Sequence, residues 1–149
     1  MEVKEVIEML AMNSTDVRKE WSSVVDSVIR EKPAFIKRTR DYMMLCSTET
    51  IAQIVSGVSI YAEQFTEDDG SITLSTVDMD IVSRGVDLES AKRELAKDII
   101  EYAEEYYAEF EAYSRAPNRK NHLPYVIKAL IAKSPEELEG AIVCRPGEN

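Results

Sequence analysis

NSTDVRKEWSSVVDSVIREKPAFIKRTRDYMMLCS, residues 13–47, is the stretch from which the fold is read. In the short polar cluster Asn13-Ser14-Thr15, Asn13 or Ser14 can cap free backbone N–H groups, and Asp16 falls in the first turn, where the helix dipole favours a carboxylate. Beyond them Val17, Trp21, Val24, Val25, Val28 and Ile29 recur at helical spacing and predict one amphipathic helix. Pro33 ends it, because proline lacks the N–H and disfavours helical geometry in the residue before it. Residues 34–37 and 42–46 then read as a β-hairpin, with Arg38-Thr39-Arg40-Asp41 as the polar crossing.

The pattern extends outward on both sides. Upstream, Val3, Val6, Ile7 and Leu10 follow helical spacing, and Ala11 and Met12 form a short extended piece. Downstream, Ser47-Thr48-Glu49-Thr50 opens a helix whose inner face is Ile51, Ile54, Val55 and Val58, and Gly57 stops it. One helix and a hairpin cannot bury an apolar stripe alone, so Trp21, Val24, Val25 and Val28 are expected to meet a second copy of the chain.

After Gly57 the period changes, which predicts two units, 1–57 and 58–149. Residues 58–63 and 71–77 read as strands joined through Glu67-Asp68-Asp69-Gly70, whose Asp-Gly pair suits left-handed turn positions, and residues 80–83 as a third strand. From the capping residue Asp87 a single long helix is predicted over 88–113. Residues 116–124 read as a loop, 125–133 as a short helix, and Ser134-Pro135-Glu136-Glu137 as cap, N1 proline and capping-box glutamate of a last helix. The tail from Arg145 to Asn149 reads as loose. The expected fold class is α+β: a helix–hairpin–helix module, then a small sheet with a long helix and C-terminal helices.

Composition narrows the function. The chain has 149 residues and a net charge of −10; residues 1–57 hold 8 Lys/Arg against 9 Asp/Glu, and residues 58–149 hold 10 against 19, a net of −9. The second half therefore repels nucleic acid and attracts a basic protein, and any nucleic acid must meet a basic patch in the first. No apolar run approaches the ~20 residues that span a bilayer, and the start MEVKEVIEML lacks the basic start and cleavage site of a signal peptide. A cytoplasmic location without membrane contact is expected. Cys46 and Cys144 lie far apart, outside any CxxC pair, and both read as reduced.

Signals for catalysis are few, and neither an enzyme nor a cofactor is expected. His122 is the sole histidine and reads as a surface or capping residue of a polar loop. Asp78 and Asp80 read as one side of a strand end, solvated or sharing a cation; no metal is assigned. Phosphate-binding, zinc-protease and serine-hydrolase motifs are absent.

The basic residues Arg18, Lys19, Lys37, Arg38 and Arg40 carry the clearer signal, two in the first turn of the predicted helix and three around the hairpin turn. With Asn13, Ser14 and Thr15 they suit phosphate contacts; five scattered cations also suit a plain solvated face, and spacing does not decide. In the second half Tyr102, Tyr106, Tyr107, Phe110 and Tyr113 interleave with Glu101, Glu104, Glu105, Glu109 and Glu111. Core packing and a partner surface are equally consistent with that pattern.

Residues 9–57 resemble the N-terminal module of Phd/YefM antitoxins. The resemblance rests on Asn13-Ser14-Thr15-Asp16-Val17-Arg18, on the helix through Trp21 and Val28, on Lys32-Pro33-Ala34-Phe35-Ile36 with Lys37-Arg38, and on the strand ending at Ser47. The turn at 38–41 departs from the family in lacking glycine. Residues 70–77 and Gly85-Val86-Asp87-Leu88-Glu89-Ser90-Ala91 are similar to HicB-like antitoxin domains, and the fusion resembles RelB-like antitoxins. The resemblance implies an antitoxin of a type II toxin-antitoxin system. It implies a homodimer that represses its own operator through the DNA-binding first module, and leaves open whether dimers pair into tetramers. The C-terminal part would neutralise a cognate toxin, often a ribonuclease. Tyr102, Tyr106, Tyr107, Phe110, Tyr113, Tyr125 and Leu130 are the toxin contacts expected on this reading. The alternative is an interaction module that keeps the dimer fold and binds no DNA.

Overall fold

The computed structural model describes residues 3–148, with side chains from Val6 onward. The tail residue Asn149 and the Val3 side chain expected on the first apolar stripe lie outside them. The chain folds into two compact units, Met1–Ile54 and Val55–Asn149, each a mixture of helices with one small sheet.

In the first unit α1 (Val3–Leu10) precedes a two-residue strand β1 (Met12–Asn13). The Asn13 side chain accepts a hydrogen bond from the Thr15 N–H at 2.9 Å and so caps the next helix, as its residue type predicts. That helix is not the continuous one expected from the valine stripe. It runs as α2 (Ser14–Lys19), breaks at Glu20 (φ −112°, ψ 31°), and resumes as α3 (Trp21–Arg30). Apolar spacing alone did not signal the break, because Val17, Val24 and Val28 still turn to one core with Ile36. Strands β2 (Ala34–Arg38) and β3 (Asp41–Leu45) pair antiparallel from Ala34 opposite Leu45 to Arg38 opposite Asp41, and β1 adds parallel to β2. Helix α4 (Thr48–Ile54) buries none of its residues, and Ile54, expected on its inner face, is exposed.

The second unit is built on a four-stranded sheet in the order β6–β5–β4–β7, formed by β4 (Ile60–Thr66), β5 (Ile72–Thr76), β6 (Val82–Gly85) and β7 (Ile142–Pro146). Gly70 adopts φ +87° in the acidic turn between β4 and β5, the left-handed position that the Asp-Gly pair predicts. Arg145 and Pro146, expected in a loose tail, instead end a strand: residues 142–146 pair parallel with residues 60–64 of β4. Helix α5 (Leu88–Ala108) is closed at its start by a capping box between Asp87 and Ser90 and buries Ala91, Leu95, Ala96, Ile99, Ala103 and Tyr106. Gly85 stands where α5 begins, and a Cβ there would collide with the backbone of Ser90 and Ala91.

The long helix predicted to Tyr113 stops at Glu109 and restarts as α6 (Phe110–Arg115). After a 3₁₀ turn (Lys120–His122), α7 (Leu123–Ile131) and α8 (Pro135–Glu139) complete the unit. Ser134 caps α8 as expected, but the Glu137 carboxylate accepts from the Lys133 N–H at 2.7 Å rather than from the cap residue.

Candidate nucleic-acid and partner interfaces

In the first unit the expected phosphate contacts divide into two groups. Asn13, Ser14 and Thr15 stand at the start of α2, whereas Arg18 and Lys19 fall in its last turn, not its first, because the helix is only six residues long. These two cations therefore sit at the negative end of the helix dipole, which stabilises them, and not beside the free N–H groups at the helix start that a phosphate would meet. Arg38 and Arg40 flank Thr39 in the hairpin turn and are exposed. Thr39 adopts φ +58°, the left-handed position of a tight turn that here falls to a residue other than glycine. Lys37 is partly engaged: its ammonium lies 3.9 Å from a Glu8 carboxylate oxygen and 5.5 Å from the Tyr42 ring centroid.

The residues expected at a dimer face also divide. Val24 and Val28 are spent on the unit's own core, and Val25 is half-buried. Trp21 remains 53% exposed, with Met43 and Met44 similarly open. These three border an apolar groove of about 640 Å³ that Ser14, Val17, Arg18, Ile36 and Leu45 complete.

In the second unit the aromatic residues separate into a cluster and a surface. Tyr106 is fully buried and donates its hydroxyl to the Arg119 carbonyl at 3.2 Å, so this expected toxin contact is a core residue. Tyr102 and Tyr113 pack edgewise against it, at ring separations of 6.1 and 5.5 Å, and tilted against each other at 6.3 Å, and the Arg119 guanidinium lies 4.2 Å from the Tyr113 centroid. His122 closes the cluster. It is buried, not a surface residue as its polar surroundings suggested, and its Nδ1 lies 2.6 Å from the Tyr102 hydroxyl. Burial lowers its pKa, although a hydrogen bond to the Asp78 backbone and the Asp80 charge oppose the shift. Burial likewise raises the pKa values of Tyr102 and Tyr106.

Tyr125 and Leu130 are half-buried on α7, and the Tyr125 hydroxyl donates to the Asp78 carboxylate at 3.0 Å. Asp78 and Asp80 lie in the turn between β5 and β6 rather than on a strand, with Asp80 at φ +56°. Among the described residues no group of three or more potential ligands gathers to hold a metal ion. Tyr107 and Phe110 differ from the aromatics of the cluster in being exposed, by 68% and 40%.

Over residues 9–144 the sequence matches the model of the PHD-like family, described as antitoxin of toxin-antitoxin, RelE/RelB, TA system. The chain belongs to this antitoxin family. Its structure is similar to a crystal structure from Syntrophomonas wolfei subsp. wolfei, proposed as the antitoxin part of a toxin/antitoxin system. The TM-score is 0.88 and the identity 33%, over 92% of this chain and 99% of that one. No curated protein matches significantly. Membership makes the chain a regulatory protein rather than an enzyme, and an antitoxin has a toxin as its partner. Among the described residues no helix of this antitoxin is long and apolar enough to cross a membrane.

Proposed function

We propose that this antitoxin is a cytoplasmic type II antitoxin of Phd/YefM kind in its first unit and HicB-like in its second. The first unit forms a homodimer and binds operator DNA, and the second masks a basic ribonuclease toxin. The observation that carries the reading is the make-up of the first unit: an apolar groove bordered by Trp21, Met43 and Met44, and an exposed turn with Arg38 and Arg40. An apolar surface of this kind suits a second copy of the chain, and two copies bring two pairs of arginines to one duplex. The acidity of the second half favours a basic partner, and a toxin that cleaves a polyanion is basic for the same electrostatic reason.

The test is a DNA shift with the region upstream of the antitoxin's own gene, measured at several salt concentrations. Replacing Arg38 and Arg40 by alanine is expected to weaken binding and to flatten the salt dependence by roughly one unit of slope per lost phosphate contact. An unchanged slope places the contacts elsewhere. Absence of any shift by the unaltered protein favours an interaction module without DNA binding, a reading motivated by the net charge of −10 and by the engagement of Lys37 with Glu8.

A further inference from the structure

The break at Glu109 leaves residues 107–112 all exposed, where a helix lying on a core would turn a side chain inward every third or fourth position. The residues just outside this run, Tyr106 and Tyr113, are anchored in the aromatic cluster, so the exposed run is held at both ends. Phe110 rests edgewise on Tyr106 at 5.7 Å and leaves the rest of its ring open. Beside it the small side chains of Ala108 and Ala112 open a groove of about 480 Å³, completed by Glu109, Glu111 and Arg115. Glu109 and Glu111 are exposed at the groove, and Glu101, Glu104 and Glu105 are exposed on the preceding turns of α5. Over residues 101–115 the sole cation is Arg115, and it is held by Glu111 at 3.0 Å.

We infer that residues 107–112 and the glutamates around them dock a cationic polypeptide segment of the toxin. An apolar side chain of that segment seats in the groove against Phe110, while its lysines and arginines face the glutamates. The inference rests on the reading that the second unit holds the toxin. Charge selects the occupant: nucleic acid and anionic membranes are repelled, and a second copy of the chain would bring five glutamates against five. Exposed aromatics ringed by charge are the usual anchors of such an interface.

The test uses the full-length chain and the protein encoded beside its gene. Tyr107→Ala, at a position two-thirds exposed, and the pair Tyr107→Ala with Phe110→Ala are expected to weaken binding by about tenfold or more, mainly through faster dissociation. Melting temperature controls for folding, and the single Tyr107 variant keeps the test valid should Phe110→Ala loosen Tyr106. Glu101→Lys with Glu104→Lys should slow association and reduce its salt dependence. Wild-type affinity in the Tyr107→Ala and charge variants overturns the site. If Val82→Asp on the sheet abolishes binding instead, the second unit still holds the toxin and only the site fails. If Trp21→Asp alone abolishes it, the assignment of the toxin to the second unit fails.

Discussion

Thr39 shows how a single residue can carry strain that the sequence announces only by omission. The two-residue turn between Arg38 and Asp41 needs a positive φ, and Thr39 supplies it at +58° although a β-branched side chain is poorly suited to that region. The missing glycine was visible in the sequence; that the turn would keep its length and put the strain on Thr39 was not. Strained positions of this kind cost about 1–3 kcal/mol. Thr39→Gly is therefore expected to raise the stability of the first unit by about 1 kcal/mol, net of the extra freedom glycine gives the unfolded chain. A denaturant midpoint shifted upward at constant slope would show it; an unchanged or lowered midpoint would mean that Thr39 is not strained. Gly85 illustrates the opposite case. It was read as part of a motif, and the structure gives the motif a steric reason, since only glycine lets the end of β6 pass the first turn of α5.

At the scale of elements, α5 and α6 were legible in composition and register but not in continuity. Tyr106, Phe110 and Tyr113 are spaced as in an unbroken helix, and the break at Glu109 accompanies the packing of Tyr102, Tyr106 and Tyr113 with His122 and Arg119, residues supplied by a later turn. The strand β7 escaped notice for a related reason: its partner β4 lies about eighty residues earlier, and Pro146 and Gly147 look locally like a loose end. His122 ties the cluster to the β5–β6 turn, and its burial leads us to expect that the unit is sensitive to acid. Burial lowers its pKa in the folded protein below the ordinary value of about 6.5, so the unfolded chain takes up a proton first as pH falls. Its contribution to stability is complete above about 6.5 and is lost as pH falls from there through the folded value. Melting temperature should drop between pH 7 and the range where carboxylates titrate. His122→Gln, which keeps hydrogen-bonding capacity without the titration, should flatten that part of the profile; an equally steep profile would assign the effect to other groups.

For the whole molecule, the two units are unequally equipped. The second gathers a core that includes Leu74, Leu95, Ile99, Tyr106 and Val126, whereas the described core of the first consists of Val17, Val24, Val28 and Ile36 with a few half-buried neighbours. Helical periodicity correctly singled out the valines but could not say whether they face their own hairpin or another chain, since both are apolar. The structure gives Val24 and Val28 to the unit's own core and leaves Trp21, Met43 and Met44 exposed. So small a core does little to stabilise a unit by itself, and dimerisation would make the stability of the first unit depend on protein concentration. Trp21 is the chain's sole tryptophan and therefore reports on the first unit alone. In the proposed dimer its half-exposed indole is covered, so dilution should shift its emission to the red as copies separate, and the unfolding midpoint followed by tryptophan fluorescence should fall with it. Far-ultraviolet circular dichroism, to which the helices of both units contribute, should show beside it a transition of the second unit that dilution does not move. Met43→Lys places a charge against the partner without removing a core side chain, and should give a monomer by sedimentation even at high concentration. Emission that is red at every concentration in the unaltered protein, together with a monomer mass, would leave Trp21 facing water and remove the symmetric pairing on which the operator geometry depends.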